Sequence, residues 1–187
     1  MRRAAKRHLL LETAIRLFNR HGYHATGVDR LMEETGIAKT TLYRHFASKE
    51  DLIVAALAKV DERAHDEMRA FVEAASDDPV ARILATFDQL DLWLQDCEFK
   101  GCPFIASAAE YSAAADPVFQ QARLHKRLYL AYFEELVRAA KIAEPKRVAG
   151  QLIMLHEGAV AFAQVLGPSG VAANAKRAAA QLIGDGA

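Results

Sequence analysis

Only two cysteines, Cys97 and Cys102, occur in 187 residues. That is too few for a disulfide framework, so a cytoplasmic location is expected. Proline and glycine are also scarce, at 5 and 10 residues, and they fall mostly between long periodic runs, which points to an all-α fold. The N-terminus, Met1-Arg2-Arg3-Ala4-Ala5-Lys6-Arg7-His8, is basic. Leu9-Leu10-Leu11 nevertheless meets Glu12 at once, leaving no apolar core for a cleavable signal. Catalytic fingerprints are missing too. His156-Glu157 lacks the second histidine of an H-E-x-x-H zinc site, and His21 and His24 have no cysteine or carboxylate company. No Gly-x-Ser-x-Gly, P-loop or dinucleotide motif occurs. A non-enzyme without metal or cofactor is expected.

Net charge is absent as well, but the zero conceals a split. Residues 1–60 hold 11 Lys+Arg against 6 Asp+Glu, a balance of +5, and residues 61–187 hold 13 against 18, a balance of −5. A basic head on an acidic body suggests that the head alone meets a polyanion. Within that head, Ala38–Phe46 reads as a short helix. Ala38, Leu42 and Phe46 fall on one side, Thr40 and Arg44 opposite, flanked by Thr41 and Tyr43. With Lys39 in its first turn and no carboxylate, the outward face offers hydroxyls, a phenol and cations, which suit phosphates and base edges.

The flanking chain supports that placement. A helix over about Arg3–His21 buries Leu11, Ala14, Ile15, Leu17 and Phe18 and stops at Gly22. A second spans about Val28–Thr35, capped by Thr26 or Gly27, with Val28, Leu31 and Met32 inward. Gly36 allows the tight turn into the third, and two helices joined this way form a helix-turn-helix. Ser48-Lys49-Glu50-Asp51 then has the spacing of a capping box opening a long fourth helix.

Gly22-Tyr23, Thr26, Val28, Leu31, the run Gly36–Phe46 and Ser48-Lys49-Glu50-Asp51-Leu52 resemble the DNA-binding domain of TetR-type transcriptional regulators. The resemblance implies an all-α homodimer with a helix-turn-helix domain over 1–48 and a domain for effector binding and dimerisation over 49–187. It implies that Tyr43, His45 and Lys49 contact phosphates and that Lys39, Thr40, Thr41 and Arg44 lie near bases, with Thr26 in the same DNA-contacting set. Ala38 departs from the family, which often has Ser there, so a side-chain cap on the third helix is lost.

Further on, breaks at Asp78-Pro79, Gly101-Cys102-Pro103, Asp116-Pro117, Glu144-Pro145 and Gly167-Pro168 delimit five more helices. They are expected over about 79–96, 104–114, 117–141, 145–166 and 171–183. Glu157 is the only charged residue from Val148 to Ala175. Helix eight carries two apolar stripes, Leu152/Leu155/Ala159/Phe162/Leu166 and Ile153/His156/Val160/Gln164. Burying both suggests a homodimer through helices eight and nine. A membrane span is disfavoured by His156, Glu157 and Gln164. Trp93, Phe104, Tyr111, Tyr129 and His156 are candidate linings of a small-molecule effector pocket, although the same composition fits an ordinary core. The Lys-Gly-Cys-Pro-Phe run at 100–104 is similar to a Gly-Cys segment in a subgroup of the same regulators, some of which sense electrophiles or oxidants. Cys102 is therefore a sensor thiol or a packing residue, with Lys100 near enough in sequence to favour thiolate. The expected function is a repressor that releases a near-palindromic double-stranded operator on binding an effector, or alternatively on modification of Cys102.

Overall fold

The computed structural model describes residues 3–184. Among them the chain forms nine helices in order: α1 Arg3–His21, α2 Val28–Thr35, α3 Lys39–Tyr43, α4 Lys49–Ala75, α5 Pro79–Leu94, α6 Pro103–Glu110, α7 Pro117–Ala139, α8 Pro145–Leu166 and α9 Val171–Gly184. The described residues divide into two compact units, one within Met1–Arg63 and Pro103–His125, the other within Ala64–Cys102 and Lys126–Ala187. The division expected at residue 48 falls at the start of α4, whereas packing divides the chain inside that helix.

In the first unit, α1 buries Leu10, Leu11, Ala14, Leu17 and Phe18, and Leu31 of α2, Leu42 of α3 and Leu52 and Ile53 of α4 are buried with them. Arg16 reaches Glu34 at 2.7 Å and ties α1 to α2. Arg63 grips both oxygens of Glu12 and ties α4 to α1. Ser48 accepts the Asp51 amide at 3.0 Å, half of the anticipated capping box.

In the second unit, α5, α8 and α9 pack on one another. Asp78 caps α5 by accepting the amides of Val80 and Ala81, with Pro79 at the first helical position. Small residues of α9, Ala172, Ala175 and Ala179, let it approach closely, and Lys176 reaches Asp88 of α5.

Two helices differ in extent from expectation. α6 ends at Glu110 because that residue's carbonyl faces the His24 ring at 2.9 Å and its carboxylate turns back onto another segment. α3 is five residues long, since its last turn tightens through His45 N–H to the Leu42 carbonyl. The face of α8 also differs. Val148, Ala149, Leu152, His156, Ala159, Val160 and Ala163 form its buried side, while Phe162 and Leu166 are 62% and 74% exposed. The buried side straddles the adjoining edges of the two stripes, taking Leu152 and Ala159 from one and His156 and Val160 from the other. The buried stripe of α7 runs through Ala122, His125, Tyr129 and Tyr132, with Leu124 and Leu128 outside it. By length and composition α8 is apolar enough to cross a membrane; its buried face is occupied by α5 and α9.

Candidate nucleic-acid interface

Two turns position α3. After α1, Gly22 takes φ +85, a left-handed geometry that costs any residue with a Cβ. Thr26, expected in the DNA-contacting set, is instead fully buried, and its hydroxyl donates to the Gly22 carbonyl at 2.7 Å and reaches the Leu17 carbonyl at 3.3 Å. A small β-branched residue with a donor suits a corner whose carbonyls need a partner. Gly36, at φ +63, ends α2 by donating its amide to the Met32 carbonyl. Ala38 precedes α3 in extended conformation and gives no side-chain cap.

A brace from distant sequence holds the first turn. Glu110 accepts the amides of Tyr23 and His24 at 2.9 and 2.6 Å. The Tyr23 hydroxyl donates to the Pro103 carbonyl at 2.9 Å, and the His24 ring stacks on Tyr111 at 4.5 Å. Lys49 donates to the His24 carbonyl at 3.3 Å. Its ammonium, otherwise disfavoured at a helix N-terminus, thus has a protein acceptor.

Leu42 and Phe46 anchor α3 inward, while Lys39, Thr40, Tyr43 and Arg44 are exposed and Thr41 and His45 are half-buried. Lys39 pairs with Asp29 at 3.0 Å, which raises its pKa above the ordinary lysine value. An exposed pair of this kind is screened by solvent and contributes little, and it yields readily to a phosphate or base. Arg3, Lys6, Thr41, Arg44 and His45 line one open groove, and the Arg7 guanidinium lies over the Phe46 ring at 5.3 Å. Burial, and then the cations Arg3, Arg7 and Lys6, hold the His45 imidazole below its usual pKa. The α1 cations were not among the residues expected at this surface. Their signal was there to read, since Arg3, Lys6 and Arg7 recur at helical spacing on one side of α1.

Of the five candidate pocket residues, Trp93, Tyr129 and His156 belong to the second unit and Phe104 and Tyr111 to the first. Tyr129 and His156 share a buried cluster in the second unit, where Phe87, Tyr129 and Phe133 surround the imidazole at 5.8, 6.1 and 5.7 Å. Trp93 is half-buried and meets Phe99 edge-on at 5.0 Å. Phe104 and Tyr111 belong to the first unit, stacked on His125 at 3.6 Å and on His24 at 4.5 Å. Cys102 is a free, buried thiol. The ammonium beside it comes from Lys126, 3.4 Å from the sulfur and 2.6 Å from both oxygens of Glu157, while Lys100 is exposed.

Residues 10–56 match the model for bacterial regulatory proteins of the tetR family, and residues 79–179 match the tetracyclin repressor-like C-terminal domain. The HTH-type transcriptional regulator LmrA of Bacillus subtilis is 29% identical over 142 residues, 75% of each chain. A TetR-family transcriptional regulator from Streptomyces coelicolor superimposes with TM-score 0.91 at 29% identity, over 98% of this chain and 96% of that one. Reduced NemR of Escherichia coli shares the fold at TM-score 0.87 and 22% identity, covering 96% and 97% of the two chains.

Proposed function

Because this chain belongs to the tetR family of DNA-binding transcriptional regulators, we propose that it is a repressor whose α3 enters the major groove of a near-palindromic operator. The observation that carries this reading is the exposed face of α3. Lys39, Thr40, Tyr43 and Arg44 point outward over a buried Leu42 and Phe46, with two hydroxyl or phenol groups and two cations and no acid of its own. In this reading Lys39, Thr40, Thr41 and Arg44 face base edges, and Tyr43, His45 and Lys49 hold phosphates. Thr26 serves by shaping the corner that aims them. Two heads from a homodimer then take half-sites about one helical turn apart.

Release follows from a small-molecule effector bound in the C-terminal domain in the cytoplasm. Helix α4 is continuous from Lys49 to Ala75, so a shift of its far end is carried to its first turn, where Lys49 touches the His24 carbonyl. A mobility-shift titration against the promoter region of its own gene tests the DNA reading. Steep loss of binding with salt is expected; absent or salt-insensitive binding overturns it. A thermal-shift screen of small metabolites tests the effector.

The Lys126–Cys102 contact at 3.4 Å favours one further reading, in which release is triggered by modification of Cys102. Cys102→Ser is then expected to abolish release by an electrophile, and unchanged release rules this trigger out.

A further inference from the structure

An open groove of about 430 Å³ lies between the first turns of α1 and the end of α3, lined by Arg3, Lys6, Thr41, Arg44 and His45. Three of the five carry a permanent positive charge, His45 can acquire one, and Thr41 offers a hydroxyl. None is acidic. Several cations elsewhere are matched: Arg16 to Glu34, Arg63 to Glu12, Arg69 to Glu135, Lys126 to Glu157 and Lys176 to Asp88. Among the described residues no carboxylate lies within ion-pair distance of Arg3, Lys6, Arg7 or Arg44. The first turn of α1 also contains no acidic residue, although a helix N-terminus favours negative charge. Gathering these charges is unfavourable for the isolated chain, and a polyanion relieves it.

We propose that this groove is a second backbone-phosphate site, in which Arg3 and Lys6 of α1, with His45, hold the DNA strand beside the one that α3 reads, while Thr41 and Arg44 form the wall it shares with the base-reading face. The inference rests on the reading of α3 as the DNA-entering helix and extends its footprint to α1. The site takes phosphodiesters rather than base edges. Arg3 and Lys6 come from the side of α1, a helix that need not enter the groove, so they reach the backbone rather than base edges.

His45 supplies a readout that an ordinary surface charge lacks. The groups facing it are Arg3, Lys6 and Arg7 from α1, Arg44 next to it in the chain, and the Phe46 ring at 6.3 Å. In the free protein burial and those cations lower the pKa of the imidazole and so favour its neutral form. A phosphate in the groove neutralises the cations and accepts from imidazolium, so binding takes up a proton. Affinity therefore rises as pH falls through the pKa of the bound state.

The test is fluorescence anisotropy with an own-promoter fragment and an unrelated duplex, over a salt series at about pH 6 and about pH 8. For the double variant Arg3→Gln/Lys6→Gln, affinity should fall by a similar factor on both duplexes. The slope of log K against log salt should lose about 2 for each head bound. His45→Gln should remove most of the difference between the two pH values. The charge-conserving Arg3→Lys/Lys6→Arg should keep the wild-type slope, which separates lost charge from lost folding. A double Gln variant with the wild-type slope overturns the groove, provided wild-type protein still binds steeply. Wild-type protein that binds neither duplex overturns the reading of α3 itself.

Discussion

Thr26 lies inside the α1–α2 corner with no solvent exposure, and its hydroxyl goes to carbonyls of the chain that precedes it. Thr26→Val keeps the shape and removes the donor, leaving the Gly22 carbonyl without its closest partner. A loss of about 1–3 kcal/mol in unfolding free energy is expected in a denaturant titration, with no change in the salt slope of DNA binding. Arg44 presents the opposite case. It is exposed and bonded only through its backbone, its amide donating to the Thr40 carbonyl at 3.3 Å. Arg44→Ala should therefore leave stability within about 0.5 kcal/mol and reduce discrimination between operator and mismatched sites by about 1–3 kcal/mol. Competition binding against single-base operator variants measures this, and an unaltered preference removes Arg44 from the base-reading set. Tyr111 adds a pH effect. Its buried hydroxyl has no hydrogen-bond partner, and burial, followed by the carboxylates of Glu50, Glu110 and Asp116, pushes the phenol up to about 12. Because the folded value lies above the unfolded one, near 10, this stabilising contribution is complete below about pH 10. It is lost as pH rises from there towards 12. Tyr111→Phe should match or exceed wild-type stability at neutral pH and lose less of it on alkaline titration.

Among the elements, α6 is only eight residues long yet braces the turn that aims α3. Glu110 satisfies two backbone amides at once, and charge-assisted bonds of that kind are worth about 1.5–3 kcal/mol each. Glu110→Ala should lower the melting temperature and weaken operator binding. Glu110→Gln, which retains one acceptor oxygen, should recover part of both. Equal losses in the two variants speak against the brace. Nothing near Glu110 in sequence announces this role, since its partners lie 86 and 87 positions away. Local signals served better. Pro79, Pro117 and Pro145 start helices where proline's missing amide does no harm, Gly22 and Gly36 end them in left-handed geometry, and α1, α2 and α8 have the boundaries that periodicity suggests. Faces were harder than boundaries. α8 is apolar on nearly every side, so hydrophobicity has little contrast to reveal which residues pack within the chain. Ring partners were equally hidden from the sequence. Phe104 and Tyr111 sit one helix away from Trp93 in sequence, but their rings are taken by His125 and His24.

For the whole molecule, the unpacked side of α8 decides what the chain can be in solution. Met154, Phe162, Val165 and Leu166 are between 62% and 80% exposed, and all four lie outside the side that α8 buries within its own chain. Large apolar side chains gathered on one helix face are a signature of association. A two-fold copy is the simplest complement, because the same patch then covers itself. Dimerisation also serves recognition: once one head is bound, the second reaches its half-site at an effective concentration far above that of free protein. Introducing charge should break both properties together. Val165→Glu/Leu166→Glu places two carboxylates per chain where the partner would exclude water, while both positions are exposed within the chain itself. Folding of the protomer should therefore survive. Sedimentation equilibrium should give half the wild-type mass, and circular dichroism an unchanged helix signal. Affinity for a full operator should fall towards that for an isolated half-site. A variant that stays dimeric places the interface elsewhere on the chain. One that becomes monomeric yet keeps full operator affinity removes the pairing of heads from the mechanism.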